Sequence, residues 1–218
     1  MSFRDLVTFV FFTFKPELHV SCPSAARAAW ADITAASRAV PGIRSLYLGR
    51  QVERPGEDRW VFVAGWTAAA PLAEFACSPA YAPWLASMSS RAVDGHLLLV
   101  RAFMAGTVDP ALDAPVTELL TLYAVERDYL DAGLASFFEA VQTESLPGCH
   151  GIAWGEAQYP EDDDVEFPGE GALALLGWDS VEAHQSQRGE GKLIDNNIHL
   201  LRNGPKQMKM AHFPLTRL

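Results

Sequence analysis

Histidine and tyrosine side chains are the groups in this sequence that could move a proton near neutral pH. The candidate catalytic residues are His184, His150, Tyr81 and Tyr123. An imidazole such as that of His184 could act as a general base towards an acidic carbon or a phenol. Tyr81 could donate a proton, although a phenol is a poor base. The alternative is structural: His184 packs between a helix and a sheet, and His150 and Tyr123 are half-buried strand residues.

Aromatic side chains form a second group of candidates. Trp66 and Trp178 each follow a glycine at the end of a predicted strand, so they either stack on a planar substrate or pack in the core. Phe75, Tyr81 and Trp84 recur at helical spacing. That spacing is more often typical of packing than of a binding site.

Motifs for nucleotides and metals are missing from the sequence. No GxGxxG or phosphate loop follows a strand, which argues against nucleotide cofactors. Cys22, Cys77 and Cys149 are scattered, so they indicate neither a zinc cluster nor a disulfide framework. A reducing, cytoplasmic location is therefore expected. A haem or flavin is not excluded, but the chain has no signature for one, and we expect no cofactor.

The composition of the chain restricts the classes of molecule that the protein could bind. The 218 residues carry a formal net charge of −10, which argues against binding to nucleic acids or anionic membranes because both need a basic face. Hydrophobic residues make up 49% of the chain, enough for a buried core. The apolar residues 6–14 predict a buried strand rather than a signal peptide or membrane span. The expected partner is a hydrophobic small molecule, and a homo-oligomer is compatible with the sequence.

An internal repeat supplies the elements that would position these residues. Residues 41–50 (PGIRSLYLGR) resemble 147–156 (PGCHGIAWGE), and residues 61–67 resemble 173–179 in the same order. The extra residues of the second copy fall in the acidic stretch 159–171, which we interpret as a loop insertion. The predicted organisation is a first half at 1–106, a linker at 107–115 and a second half at 116–218.

Each copy has the pattern strand, helix, strand, strand, helix, strand. The predicted elements are strand 6–14, helix 24–39, strands 43–53 and 60–66, helix 71–91 with a break near 78–79, and strand 96–103, then strand 118–125, helix 130–143, strands 150–158 and 172–178, a helical region 180–201, and strand 206–213. This is the order of a ferredoxin-like β-α-β-β-α-β unit, whose sheet has helices on one face only. Because the first strand is bulky on both faces, the second copy is the expected partner sheet. The sequence thus predicts an α+β fold in which two tandem units form a single-chain, pseudo-dimeric barrel.

Several segments carry a resemblance to known families. FTFKPE (12–17), VPGIRSLYLG (40–49) and FACSPAY (75–81) resemble the stress-responsive A/B barrel family, to which a plant polyketide cyclase belongs. LGWDSVEAH (176–184) resembles the antibiotic-biosynthesis monooxygenase branch of the same dimeric α+β barrel superfamily, where a histidine often stands at the position of His184. The resemblance to the cyclase puts Phe75 and Tyr81 at its Tyr/His pair, and Phe75 cannot transfer protons.

The same alignment implies which residues face the barrel interior. They are Thr8, Val10, Phe12, Phe62, Ala64 and Trp66 in the first half, and Thr117, Leu119, Thr121, Ala174, Leu176 and Trp178 in the second. The substrate-binding residues expected from this lining and from the aromatic group are Phe12, Phe62, Trp66, Phe75, Trp84, Thr121 and Trp178.

The superfamily hosts cyclases, cofactor-free oxygenases, lyases, haem-degrading enzymes and proteins without known activity, so the fold alone does not choose a function. The leading hypothesis is a cofactor-independent cyclase, isomerase or lyase that acts by acid–base chemistry on a polyketide- or terpenoid-like intermediate. Two alternatives stay open. One is a cofactor-free monooxygenase, and the other is a non-catalytic ligand-binding or stress-responsive barrel.

Overall fold

Residues 4–20, 22–53, 56–143, 146–161 and 167–218 are described by the computed structural model. The first half contains eight regular strands and helices: β1 (Arg4–Thr13), α1 (Pro23–Ala29), α2 (Ala31–Arg38), β2 (Ile43–Arg50), β3 (Arg59–Trp66), α3 (Ala69–Ala76), α4 (Tyr81–Ser89) and β4 (Leu98–Ala105). Short 3₁₀ turns at Pro16–Leu18 and Val93–Gly95 follow β1 and precede β4. The predicted break in the second helix lies between α3 and α4, beside Pro79.

The second half repeats this order after a short connecting helix. Its elements are α5 (Asp109–Leu112), β5 (Val116–Tyr123), α6 (Arg127–Tyr129), a π-helical turn (Leu130–Leu134), α7 (Ala135–Thr143), β6 (Cys149–Tyr159), β7 (Gly169–Trp178), α8 (Val181–Ser186), α9 (Leu193–Arg202), β8 (Gln207–Phe213) and β9 (Leu215–Arg217). Helix α5 lies inside the predicted linker. The predicted boundaries of the two halves stay predictions.

The nine strands found in the described residues form one sheet with the order β8-β5-β7-β6-β4-β1-β3-β2-β9. Two junctions join the halves. β4 pairs antiparallel with β6, and β9 pairs with β2, while the Val52 N–H donates to the carbonyl of His212 at 3.0 Å. Because β9 directly continues β8, the two ends of the sheet meet and the barrel is nearly closed. The predicted α+β class and single-chain barrel are confirmed.

Buried side chains separate into a barrel interior and two layers beneath the helices. The interior combines strands of both halves, with Phe9 and Val63 from the first and Leu119 and Leu175 from the second. Trp30 is at the centre of the helix-side layer of the first half, and Phe138 belongs to that of the second. Among the described residues, no helix combines the length and apolarity that a membrane span requires.

The predicted orientation of several strand residues was wrong. Most of the residues expected in the barrel lie instead in the helix-side layers: Val10, Phe12, Phe62, Ala64 and Trp66 in the first half and Ala174, Leu176 and Trp178 in the second. Leu119 does face the interior. Both faces of these strands are apolar, so alternation could not distinguish them, and a shift of one residue exchanges the faces.

Candidate functional site

A cavity of about 530 Å³ lies between the helix-facing side of β1 and β4, helices α3 and α4, and the residues of the second half where β6 ends and β7 begins. We call it the helix-side cavity. Its apolar lining includes Leu6, Val10, Trp66, Leu72, Phe75, Tyr81, Trp84, Leu99 and Phe103. A volume of this size suits a small organic ligand that is bound mainly by apolar contact.

Four aromatic side chains form one wall of this cavity. The Phe75 ring meets the rings of Tyr81 and Trp84 edge-on, with centroids 5.5 and 5.3 Å away, and Trp66 lies 6.2 Å from Phe75. Ser78 donates a hydrogen bond to the carbonyl of Phe75 at 2.7 Å where α3 ends. The break after α3 therefore lets Phe75 and the first residues of α4 face the same space.

Hydrogen bonds hold both indole rings of this wall. The Trp66 Nε1–H donates to Thr8 Oγ1 at 3.1 Å, and the Trp84 Nε1–H donates to Ser37 Oγ at 2.9 Å. The charged groups of the lining, Arg101 and Glu170, are solvent-exposed. The helix-side cavity thus has fixed aromatic rings inside and a cation and a carboxylate at its rim.

A second cavity, of about 860 Å³, opens at one end of the barrel and is called the barrel-end cavity. Phe11, Leu119, Thr121, Tyr123 and Phe213 are among the residues that line it. Its rim is polar, with Gln51, Glu53, Arg59, Asp94, His96 and Lys209. The ring of Tyr123 packs against Tyr159 at 4.4 Å, and burial raises the pKa of Tyr123.

Polar groups cluster beneath the helices of the second half. His184 Nδ1 lies 2.9 Å from His212 Nε2, and the carboxylate of Glu53 hydrogen-bonds both the ring Nδ1 and the backbone N–H of His212. Glu118 Oε2 accepts a hydrogen bond from Trp178 Nε1 at 2.9 Å and lies 3.6 Å from His184 Nδ1. His184, His212 and Glu118 are only 3%, 2% and 6% exposed. We call these three residues the buried histidine cluster, together with Glu53, whose side chain reaches His212 from the rim of the barrel-end cavity and is partly exposed.

Strand register and a helix cap bring this cluster together. Glu118 on β5 is the direct cross-strand partner of His212 on β8, so both side chains point to the same face. Ser180 Oγ accepts a hydrogen bond from the Ala183 N–H at 3.1 Å and caps α8. Helix α8 then places the His184 ring against Trp178, with centroids 5.0 Å apart.

Burial sets the protonation of this cluster. Burial, followed by the charges of His212 and Arg188, lowers the pKa of His184 to about 4, so its ring is neutral at neutral pH. Burial raises the pKa of Glu118, against the hydrogen bond from Trp178. Burial would also raise the pKa of Glu53, but the hydrogen bonds from His212 outweigh it and lower that pKa.

Most of the predicted site residues fall into three groups. Trp66, Phe75, Tyr81 and Trp84 meet in the helix-side cavity, whereas Phe12, Thr121 and Tyr123 line the barrel-end cavity. His184 belongs to the buried histidine cluster, and Trp178 donates a hydrogen bond to its Glu118; neither is among the lining residues of the two cavities.

His150 and Phe62 lie apart from these groups. The half-exposed His150 pairs with Asp179 at 2.7 Å, and Phe62 packs near Trp30 in the core, with ring centroids 6.0 Å apart. Sequence reasoning missed Glu53, Glu118, Arg101 and the role of His212 in the cluster. Glu118 had a signal, because it is a charge inside an otherwise apolar strand.

The buried histidine cluster also contains potential metal ligands. Nδ1 or Nε2 of His184 and His212 and a carboxylate oxygen of Glu118 all lie within 4.8 Å of one another. In the part of the chain that the structure describes, this is the one group of three or more His, Cys, Asp or Glu side chains with such geometry.

Comparison with solved structures identifies relatives in fold. An anthrone oxidase-like protein superposes with a TM-score of 0.69 at 13% identity, over 99% of this chain and 94% of that one. A protein from Fusobacterium nucleatum, provisionally assigned as a monooxygenase, gives a TM-score of 0.59 at 12% identity over 100% and 95% of the two chains. A third protein, from Lactobacillus acidophilus and also provisionally assigned as a monooxygenase, gives a TM-score of 0.58 at 12% identity, over 98% of this chain and 94% of that one. No family model and no curated protein matches the sequence.

Proposed function

We propose that this protein is an oxygen-using enzyme that oxidises a planar, hydrophobic phenol or enol bound in the helix-side cavity. The observation that carries the proposal is the wall formed by Trp66, Phe75, Tyr81 and Trp84, in a cavity with a charged rim. Aromatic side chains favour stacked or edge-on contacts with a fused-ring substrate. A charged rim suits a substrate that becomes an anion during the reaction.

The reaction would convert an activated methylene group to a carbonyl. In R₂CH₂ + O₂ → R₂C=O + H₂O, two C–H bonds break and one C=O bond forms. The carbon loses four electrons and O₂ gains four, with one oxygen atom entering the product and the other leaving as water. Because the sequence has no nucleotide-binding motif, we propose that the substrate's own enolate reduces O₂. The protein then needs to remove a proton and to shield the anion from water.

Three residues of the lining have suitable chemistry. The carboxylate of Glu170 could accept the proton, and the guanidinium of Arg101 could stabilise the enolate oxygen. The hydroxyl of Tyr81 could donate a hydrogen bond to the same oxygen. The structural similarity to an anthrone oxidase-like protein and to provisional monooxygenases supports this type of substrate and the use of oxygen.

Oxygen uptake with anthrone as the probe tests the proposal. The wild-type chain should consume one O₂ for each carbonyl formed, measured with an oxygen electrode and by mass spectrometry of the product. Arg101→Gln should lower the rate about tenfold or more, because removing a group that stabilises a developing oxyanion has effects of this size or larger. Arg38→Gln, on the exposed face of α2, is the matched control and should leave the rate unchanged.

A change of volume tests the cavity itself. Ala73 lines the helix-side cavity, so Ala73→Phe should obstruct substrate binding, while Ala86→Phe on the exposed face of α4 should not. Equal uptake in wild type and Ala73→Phe would contradict this location. Substrate conversion at the same rate without oxygen would contradict the oxygenase proposal and favour cyclisation or isomerisation instead.

A further inference from the structure

We propose that Glu118, His184 and His212 bind one divalent transition-metal ion, of the kind that nitrogen and oxygen ligands prefer. Two imidazoles and one carboxylate are a common ligand set for Zn²⁺ and Fe²⁺. The proposal does not depend on the proposed oxidation, because the three residues do not line the helix-side cavity.

The distances between the ligand atoms are close to those a metal would require. His184 Nδ1 and His212 Nε2 are 2.9 Å apart, and His184 Nδ1 is 3.6 Å from Glu118 Oε2. Metal–ligand bonds of about 2.0–2.2 Å place two ligands of one tetrahedral ion about 3.3–3.6 Å apart. The two imidazoles would therefore separate by only a few tenths of an ångström, while Glu118 already lies at a suitable distance.

Glu53 orients the His212 ring for metal binding. Its carboxylate bonds the Nδ1 of the His212 ring, which directs Nε2 towards His184. A carboxylate on the outer nitrogen of a histidine is the usual arrangement around metal-bound imidazoles, where it fixes the ring and its tautomer. Trp178 similarly holds one oxygen of Glu118 through its Nε1–H at 2.9 Å.

The charge balance of the cluster also favours a cation. Glu118 is 6% exposed, and burying a carboxylate is costly unless an opposite charge compensates it. Two cationic groups lie near enough to influence Glu118, but each has another carboxylate: His212 hydrogen-bonds Glu53, and the guanidinium of Arg188 pairs with Asp195 at 2.9 Å. A divalent ion between Glu118 and the two imidazoles would supply the compensating charge and leave one coordination position for water.

The test uses the full-length chain and metal ions alone. After treatment with EDTA and removal of the chelator, the protein is titrated with Co²⁺ and, separately, with Zn²⁺. We expect one ion per chain, visible Co²⁺ absorption typical of a four- or five-coordinate site, and loss of that absorption when Zn²⁺ is added. Binding is followed by absorption spectroscopy and by calorimetry.

Variants assign the ligands. Glu118→Gln and His212→Gln should each weaken Zn²⁺ binding by more than about 100-fold, and Glu53→Gln by about 10- to 100-fold. His150→Gln removes a half-exposed histidine outside the cluster and should bind Zn²⁺ like wild type.

Two results would overturn the metal site. One is a wild-type Co²⁺ spectrum identical to that of the hydrated ion, a measurement that does not depend on the folding of any variant. The other is equal Zn²⁺ affinity for wild type and Glu118→Gln. Oxygen uptake is not used in either measurement, so failure of the metal site and failure of the proposed oxidation are distinguishable.

Discussion

Cys149 lies at the start of β6, and its thiol contacts the carbonyl of Gly151 at 3.8 Å. Burial raises its pKa to about 11, whereas Cys22 and Cys77 are solvent-exposed. The thiolate is the nucleophilic form of cysteine. At pH 8 the raised pKa keeps Cys149 protonated, so its thiol is both shielded and unreactive.

We therefore predict that iodoacetamide at pH 8 labels Cys22 and Cys77 well before Cys149. The rate at Cys149 should be lower by about tenfold or more, since its thiolate fraction falls about tenfold for each unit by which the pKa is raised. Peptide mass spectrometry over time measures the three rates, and labelling in urea provides the control in which the rates converge. Equal rates in the folded protein would contradict the prediction.

For individual residues, the sequence could predict one part of the candidate site and not the other. Phe75, Tyr81 and Trp84 were grouped from helical spacing, and they do share one cavity, because the break between α3 and α4 turns residues that are close in sequence towards the same space. The buried histidine cluster depends on longer-range geometry. Glu118 meets His212 through the β5–β8 register, and Glu53 reaches His212 from the other half of the chain. No spacing in the sequence carries that information.

At the scale of elements, a small polar network ties β2, β9 and the end of α5 together. The hydroxyl of Tyr47 on β2 donates to Asp113 Oδ1 at 2.9 Å. Arg217 on β9 bonds the same carboxylate at 3.2 Å, and its guanidinium lies 5.6 Å from the Tyr47 ring. The network therefore links β2 and β9 by hydrogen bonds to Asp113, in the segment that connects the two halves.

Tyr47→Phe tests this network through its pH dependence. Burial, together with the hydrogen bond to Asp113 and the charge of Asp113, raises the pKa of Tyr47 from 10.0 to about 12. A raised folded-state pKa adds stability that is complete below the unfolded value and is lost as pH rises through the folded value. Wild type should thus lose this contribution between about pH 10 and pH 12.

The variant should be less stable than wild type by about 1.5–3 kcal/mol at pH 8, the usual contribution of a hydrogen bond to a charged group. The difference should shrink at alkaline pH. Urea unfolding followed by circular dichroism at a series of pH values measures both effects. A stability difference that stays constant up to pH 12 would contradict the raised pKa of Tyr47 in the folded protein.

Element boundaries show a second limit of the sequence. The break between α3 and α4 was predicted from Ser78 and Pro79, which act locally. The predicted helical region 180–201 is divided into α8 and α9 around Gly189 and Gly191, both with positive φ. Strand β9 was not predicted, because three residues after Pro214 form a strand only through pairing with β2 in the other half.

At the scale of the whole molecule, the two β-α-β-β-α-β units complete one another's sheet. Neither half covers its own barrel face, and the interior draws Val7, Phe9, Leu173 and Leu175 from both halves. The apolar faces predicted this partnership, but not its geometry. That geometry depends on the β4–β6 and β2–β9 junctions, which are pairings between distant parts of the chain.

Gly155 marks the β4–β6 junction, where it pairs with Met104. A Cβ at this position would meet the backbone carbonyl of Phe103 and would lie 3.0 Å from Met104 Cα. Backbone atoms of a paired strand cannot move aside as a flexible side chain can, so Gly155→Ala should force the two strands apart. We predict a loss of about 1–3 kcal/mol in the free energy of unfolding, the range for overpacking at a buried position.

Gly56→Ala is the matched control, because a Cβ at Gly56 would meet no atom within 4 Å. Urea unfolding of both variants, followed by tryptophan fluorescence, should show a lower midpoint for Gly155→Ala alone. Since β4–β6 is one of only two junctions between the halves in the described sheet, weakening it should destabilise both halves together. A single transition shifted to lower urea is therefore expected, whereas two separate transitions would mean that each half is stable without the closed barrel.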